Sequence, residues 1–238
     1  MKKIVFGILI GFLFVFAGCN DDDGYSLGDM WIGFGIVENT DNYKIVLDDG
    51  EILYPVAYGG YHSWYDHEYS GTHHEIGAGD RVMVNFTILD DKLNDAGEIE
   101  AYYVKVNSSK KILTKGILDI TEENKDSIGN DPIIVKECWM ASDLLNFQLK
   151  YYGHYETHFI NLVKQPGELS PEGQPFELEL RHNKNGDKED IPYTAFVSFK
   201  LDSLQVAGLD SVRFRVTSTD YDGELFEFEG VYKYGGNN

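Results

Sequence analysis

The chain has 238 residues, with 40 acidic side chains against 20 basic ones and a formal net charge of −20. A surface of that sign repels nucleic-acid phosphates, which require a basic patch, so the composition argues against a nucleic-acid partner. It also disfavours adsorption to anionic lipid, so any membrane attachment has to come from an apolar group.

The N-terminal residues supply such a group. Lys2 and Lys3 precede an apolar run from Ile4 to Ala17, interrupted only by two glycines, and Ala17-Gly18-Cys19 follows. The order basic, apolar, small, cysteine is that of a secretory signal with a lipid-acceptor cysteine. The run is too short for a confident transmembrane span. Residues 1–18 therefore read as a lipoprotein signal peptide, with Cys19 as the lipidation site. Each buried methylene of the acyl chains contributes about 0.8 kcal/mol of anchoring. An ordinary cleavage near Gly18, leaving an unmodified cysteine, is the alternative. Cleavage removes only Lys2 and Lys3 among the charged residues, leaving 18 basic against 40 acidic residues, a net −22.

Residues 19–29 form an acidic tether containing Asp21-Asp22-Asp23. The tether is either a solvated spacer or an address. Acids directly after a lipidated cysteine resemble the surface-export signal of Bacteroidota lipoproteins. That resemblance implies an outer-membrane protein, lipid-anchored and exposed on the cell surface; a periplasm-facing anchor is the alternative. With Cys19 acylated, Cys138 has no intrachain partner, and its place between Val135 and Trp139 suits a buried small residue.

Beyond the tether, period-two alternation recurs and long helical patterns are absent, so the fold class is all-β. Ile32, Phe34 and Ile36 share a face. Tyr43, Ile45 and Leu47 lead through Asp49-Gly50, a hairpin turn, to Ile52, Tyr54 and Val56. Val82, Val84, Phe86 and Ile88 follow the turn at Gly77–Asp80, and Tyr102, Val104 and Val106 close the set. Five strands with little helix predict a small OB-like five-stranded barrel over residues 30–109. The polar, basic segment Asn107–Lys111 is the expected boundary. In residues 110–238, alternation at Leu145–Tyr151, Phe176–Leu180, Val197–Leu201, Val212–Val216 and Phe226–Tyr234 predicts an antiparallel β-sandwich. Asn185-Gly186 predicts a hairpin turn. Thr121–Ser127 is the one short helix expected, with Thr121 as its cap.

Candidate chemistry is sparse. Gly24-Tyr25-Ser26-Leu27-Gly28 matches the G-x-S-x-G pattern, but that motif needs a strand-to-helix turn and a partner histidine, and strand is expected here. Between Tyr58 and Ile76 lie His62, His67, His73 and His74, interleaved with Tyr61, Trp64, Tyr65 and Tyr69. Imidazoles with nearby carboxylates can bind transition metals, and exposed aromatics can stack on sugars or anchor a protein. The spacing matches no compact metal motif. Tyr61, His62, Trp64, Tyr65, His67, His73 and His74 are therefore carried forward as a ligand- or partner-binding set, with no metal site, cofactor or catalytic residue assigned. An unspecialised barrel loop is the other reading. His158 and His182, in strand contexts, read as hydrogen-bonded structural residues. Asp220-Tyr221-Asp222-Gly223 and Asp90, Asp91, Asn94 and Asp95 read as solvated turns. Asp126-Ser127-Ile128, Asp202-Ser203-Leu204 and Asp210-Ser211-Val212 resemble the Asp-Ser-aliphatic glycosylation acceptors of Bacteroidota. No phosphate-binding loop, dinucleotide fingerprint or CxxC pair is present.

A set of short segments resembles the NigD-like lipoprotein family of Bacteroidota. They are Gly24–Asp29 with Trp31, Ile112–Lys115, Asp126–Ile133, Trp139, His158–Val163, Leu180–Asn183 before Asp187, and Val197-Ser198-Phe199. The resemblance implies an OB-like N-terminal domain, a C-terminal β-sandwich and a role linked to bacteriocin immunity, and it brings no catalytic residues. The expectation is a lipid-anchored, non-enzymatic protein that binds another protein. The alternative is a surface accessory that binds a glycan or metal through the 58–76 loop.

Overall fold

Alternating apolar residues close the first half of the chain into a barrel. The computed structural model describes residues 25–38, 43–59, 65–67 and 73–234, with the backbone alone for 65–67 and 73–75. The first strands are β1 (Trp31–Glu38), β2 (Lys44–Leu47), β3 (Ile52–Tyr58), β4 (Tyr65–His67), β5 (His73–Glu75), β6 (Arg81–Leu93) and β7 (Ile99–Lys111). The closed order is β1-β2-β3-β7-β6, with β3 and β7 parallel, which is the strand order of an OB barrel. Between β3 and β6 stands the small antiparallel hairpin β4–β5.

The inside of the barrel is narrow. Val37, Ile45, Leu53, Val82, Val84 and Val104 are fully buried there. On β1 the inward positions are Gly33, Gly35 and Val37. A Cβ on Gly35 would stand 2.8 Å from Ile45 Cγ2 and 2.6 Å from the Val46 carbonyl oxygen, so β1 lies this close only because the residue is glycine. Ile32, Phe34 and Ile36 do share a face, but it is the outer one.

Phe34 on that face meets the second domain, whereas Ile32 is exposed. The Phe34 ring lies 5.3 Å from Trp139 and 5.1 Å from Phe196, centroid to centroid, and the Arg81 guanidinium sits 5.9 Å over it. Arg81, buried at the start of β6, makes a two-pronged ion pair with Asp48 in the β2–β3 turn. Trp139 Nε1 donates to the same carboxylate at 2.8 Å. Asp48 thus holds a barrel cation and a sandwich indole at once.

The second domain stacks two sheets. Its strands are β8 (Leu113–Lys115), β9 (Leu118–Asp119), β10 (Ile134–Ala141), β11 (Leu144–Gly153), β12 (Phe159–Lys164), β13 (Phe176–Asn183), β14 (Ile191–Lys200), β15 (Ser211–Thr219) and β16 (Leu225–Lys233). One sheet runs β10-β11-β14-β8 and the other β16-β15-β13-β12-β9. Phe147, Leu149, Leu162, Leu178, Phe199 and Phe214 fill the space between them. The sandwich is mixed: β8–β14, β9–β12 and β13–β15 are parallel pairs. Lys115 crosses the layers, donating to the Ile160 carbonyl at 2.8 Å and to the Asn161 side chain, and burial pushes its pKa down.

Two local expectations change. Asn107–Lys111 is the end of β7, with Ser108–Lys111 paired to Val82–Asn85, and no linker intervenes before β8. The helix α1 is a single turn, Lys125–Ile128, preceded by Asn124 rather than capped by Thr121. Asn124 Oδ1 instead accepts the Thr121 N–H at 2.7 Å.

Gly35→Ala should destabilise the barrel by about 1–3 kcal/mol through overpacking, measured by urea unfolding. Unchanged stability would contradict this account of β1.

Candidate functional site

The 58–76 segment lies largely outside the described residues. Tyr61, His62 and Trp64 fall there, as do Cys19 and the acidic run after it. Tyr65, His67, His73 and His74 are on β4 and β5, where His67 pairs with His73 and Asp66 with His74 along the backbone ladder. Among the described residues no group of three or more His, Cys, Asp or Glu side chains is placed to hold a metal ion. Ser26 lies at a turn before β1, where its hydroxyl accepts the Gly28 N–H at 3.2 Å. Cys138 is a half-buried free thiol whose pKa burial pushes up to about 12. Ser127 and Ser203 are exposed, and Ser211 is partly buried at the start of β15. Asp220 Oδ1 accepts the N–H groups of Asp222 and Glu224, closing the β15–β16 turn.

The structure builds a polar site elsewhere, at one end of the sandwich. β11 ends at Gly153, and the connection to β12 carries His154, Tyr155 and His158. β13 ends at Asn183, and the Asn185-Gly186 turn, with both residues at positive φ, delivers Asp187 back toward that connection. Gly153 is needed at this point, since a Cβ there would come within 2.8 Å of His158 Nε2.

Asp187 gathers the surrounding donors. It accepts from the His154 N–H at 2.5 Å and the Tyr155 N–H at 3.3 Å, and it faces His158 Nε2 at 3.2 Å. Burial pushes its pKa up, but these bonds and the Lys188 N–H outweigh burial and hold it well below the usual carboxylate range. Beyond His158, its Nδ1 faces His182 Nε2 at 2.8 Å, and His182 Nδ1 faces the Pro132 carbonyl at 2.9 Å.

The bonds of this row set a proton count. The Pro132 carbonyl and the ionised Asp187 can only accept, so three hydrogen bonds in series require three ring N–H protons. Two neutral imidazoles carry only two. Closing all three bonds at once would take one extra proton, balanced by Asp187. Burial, opposed by the Pro132 bond and reinforced by His158, pushes the His182 pKa down.

Above the row is a cavity of about 170 Å³ walled by Tyr151, His154, Tyr155 and Tyr193. Tyr151 stacks on Tyr193 at 5.7 Å, and its ring lies 4.7 Å from His158. The Tyr193 hydroxyl donates to the His154 carbonyl at 3.1 Å, and His154 Nδ1 pairs with Asp190 at 2.9 Å, so the mouth of the cavity is tied down. Among the described residues no Ser, Thr or Cys lines this cavity. Residue type and strand context identified His158 and His182 as hydrogen-bonded. Asp187 was missed as their partner, and the only sequence signal for it is its position just past an Asn-Gly turn.

The architecture is that of a two-domain, all-β protein in which an OB barrel is docked on a mixed β-sandwich. Residues 116–229 match the NigD-like C-terminal beta sandwich domain. It is similar to a candidate toxin-related protein from Parabacteroides distasonis, with 29% identity over 86% of this chain and 94% of that one, TM-score 0.64. A protein of unknown function from Bacteroides vulgatus is similar at 26% identity over 87% and 93% of the two chains, TM-score 0.66. A NigD-like immunity protein from Bacteroides caccae shares the fold at 19% identity over 87% and 98%, TM-score 0.59. No curated protein matches the chain.

Asp187→Asn tests the histidine row. A carboxylate with a depressed folded pKa stabilises the fold above its ordinary titration range and loses that effect as pH falls through the folded value. The variant should therefore melt below the wild type at neutral pH, with the gap closing in acid. Nitrogen-15 histidine spectra of the wild type should show three ring N–H protons over His158 and His182. Two, with an unchanged melting gap across pH, would contradict the assignment.

Proposed function

We propose that this chain is a NigD-like, lipid-anchored, non-enzymatic interaction protein of the cell envelope that binds another protein in an immunity-like role. The observation that carries the reading is the match of residues 116–229 to the NigD-like sandwich domain. The names of two similar structures, one toxin-related and one an immunity protein, point the same way. Attachment rests on the signal-like residues 1–18 and Cys19, and the neighbouring Asp21–Asp23 supports display on the outer-membrane surface. Among the described residues no helix is long and apolar enough to cross a membrane, which leaves the acyl group as the proposed anchor.

A second reading, a surface accessory that binds a small ligand, is favoured by one observation: the preformed aromatic cavity at the end of the sandwich. A deletion strain separates the two. Lost resistance to a cognate toxin supports immunity, and altered growth on one glycan supports the accessory role.

Cys19→Ala should move the protein from the membrane fraction to the soluble fraction. Protease added to intact wild-type cells should degrade it. Full protection until lysis would exclude surface display.

A further inference from the structure

We propose that the cavity above Asp187 is a saccharide site that takes a single pyranose ring; the proposal rests on the ligand-binding reading and names its ligand class. At about 170 Å³ the cavity is well below the roughly 300–1,000 Å³ of pockets for drug-sized molecules, and suits one ring rather than an extended ligand.

Its surfaces select among ring chemistries. Tyr193, exposed and backed by Tyr151, presents an aromatic wall, and Tyr155, 86% exposed, stands at the rim edge-on to His154. Flat faces of this kind pack against the C–H face of a pyranose as they do against other apolar surfaces. Around them are polar atoms with no hydrogen-bond partner among the described residues: the Tyr151 and Tyr155 hydroxyls, the Glu156 carboxylate and His154 Nε2. This is a mixture of donors and acceptors, and sugar hydroxyls both donate and accept.

The lining also bears on ions. An anion would meet Glu156 with no Lys or Arg in the lining. An organic cation could pack on the tyrosine rings beside Glu156, so a cationic probe is the necessary comparison. The mouth is also pre-ordered. Asp187 holds the backbone of His154 and Tyr155, and Tyr193 holds the His154 carbonyl, so little ordering is required when a ligand enters.

The test is a saturation-transfer NMR titration of the full chain in detergent. The probes are methyl glycosides of galactose, mannose and N-acetylglucosamine, with Nα-acetyl-lysine methylamide as the cationic comparison. Tyr155→Ala and Glu156→Gln alter exposed residues, and an unchanged melting temperature confirms that each folds. The expected result is saturable millimolar binding of at least one glycoside, weakened about tenfold or more in both variants, with no saturation by the lysine amide. Three results would overturn the proposal: no glycoside saturates, binding is the same in both variants, or the lysine amide binds instead. A deletion strain that grows poorly on a glycan on which the Tyr155→Ala strain grows normally would remove this site while leaving the accessory reading in place.

Discussion

One carboxylate joins the two halves of this protein. Asp48, in the β2–β3 turn of the barrel, accepts both prongs of the Arg81 guanidinium and the indole N–H of Trp139 from the sandwich. Phe34 completes the contact, lying under Arg81 and against Trp139 and Phe196. A buried charge pair is weak evidence for stability by itself, but removing one member costs roughly 3–5 kcal/mol because the other is stranded. Asp48 keeps 21% of its side chain in water, which moderates that penalty, whereas the Arg81 side chain keeps 2%. The chain then enters β8 directly from β7, and the Ile112 N–H donates to the Arg81 carbonyl at 2.8 Å. The barrel is therefore docked through Arg81 by side chain and main chain together.

The strand pattern was legible because residues two apart share a face, and most of the apolar positions that alternate along the sequence are buried in one of the two cores. What alternation does not reveal is which face is the interior. On β1 it marks Ile32, Phe34 and Ile36, yet the barrel interior is at Gly33, Gly35 and Val37. Two of those inner positions are glycines, which carry no hydrophobic signal, and on the apolar face Phe34 packs against the second domain. Asn107–Lys111 reads as a linker for a related reason: its polar residues belong to a paired strand end rather than to a chain crossing between domains. The turns were more transparent, since Asp49-Gly50 and Asn185-Gly186 need backbone conformations that few other residue pairs supply.

The polar site at the sandwich end was legible only in part. His158, just before β12, and His182, on β13, lie 24 residues apart, and Asp187 reaches them only after the chain reverses. No short motif spans that arrangement. Several of the scattered segments that resemble the NigD-like family occur at such junctions. Trp139 is at the domain contact, and His158, His182 and Asp187 form the proton-bearing row. Asp131 accepts the Lys184 N–H at 2.8 Å and ties the segment after α1 to the end of β13. A pattern spread along the sequence thus corresponds to two compact polar clusters, one holding the domains together and one shaping the cavity.

If the Asp48 contact makes barrel and sandwich a single cooperative unit, calorimetry shows it most directly. The wild-type chain should unfold in one transition whose calorimetric and van't Hoff enthalpies agree. Asp48→Ala, which strands Arg81 and frees Trp139, should split that transition into two. Two independent transitions in the wild type, or an unsplit and unshifted transition in the variant, would contradict the account.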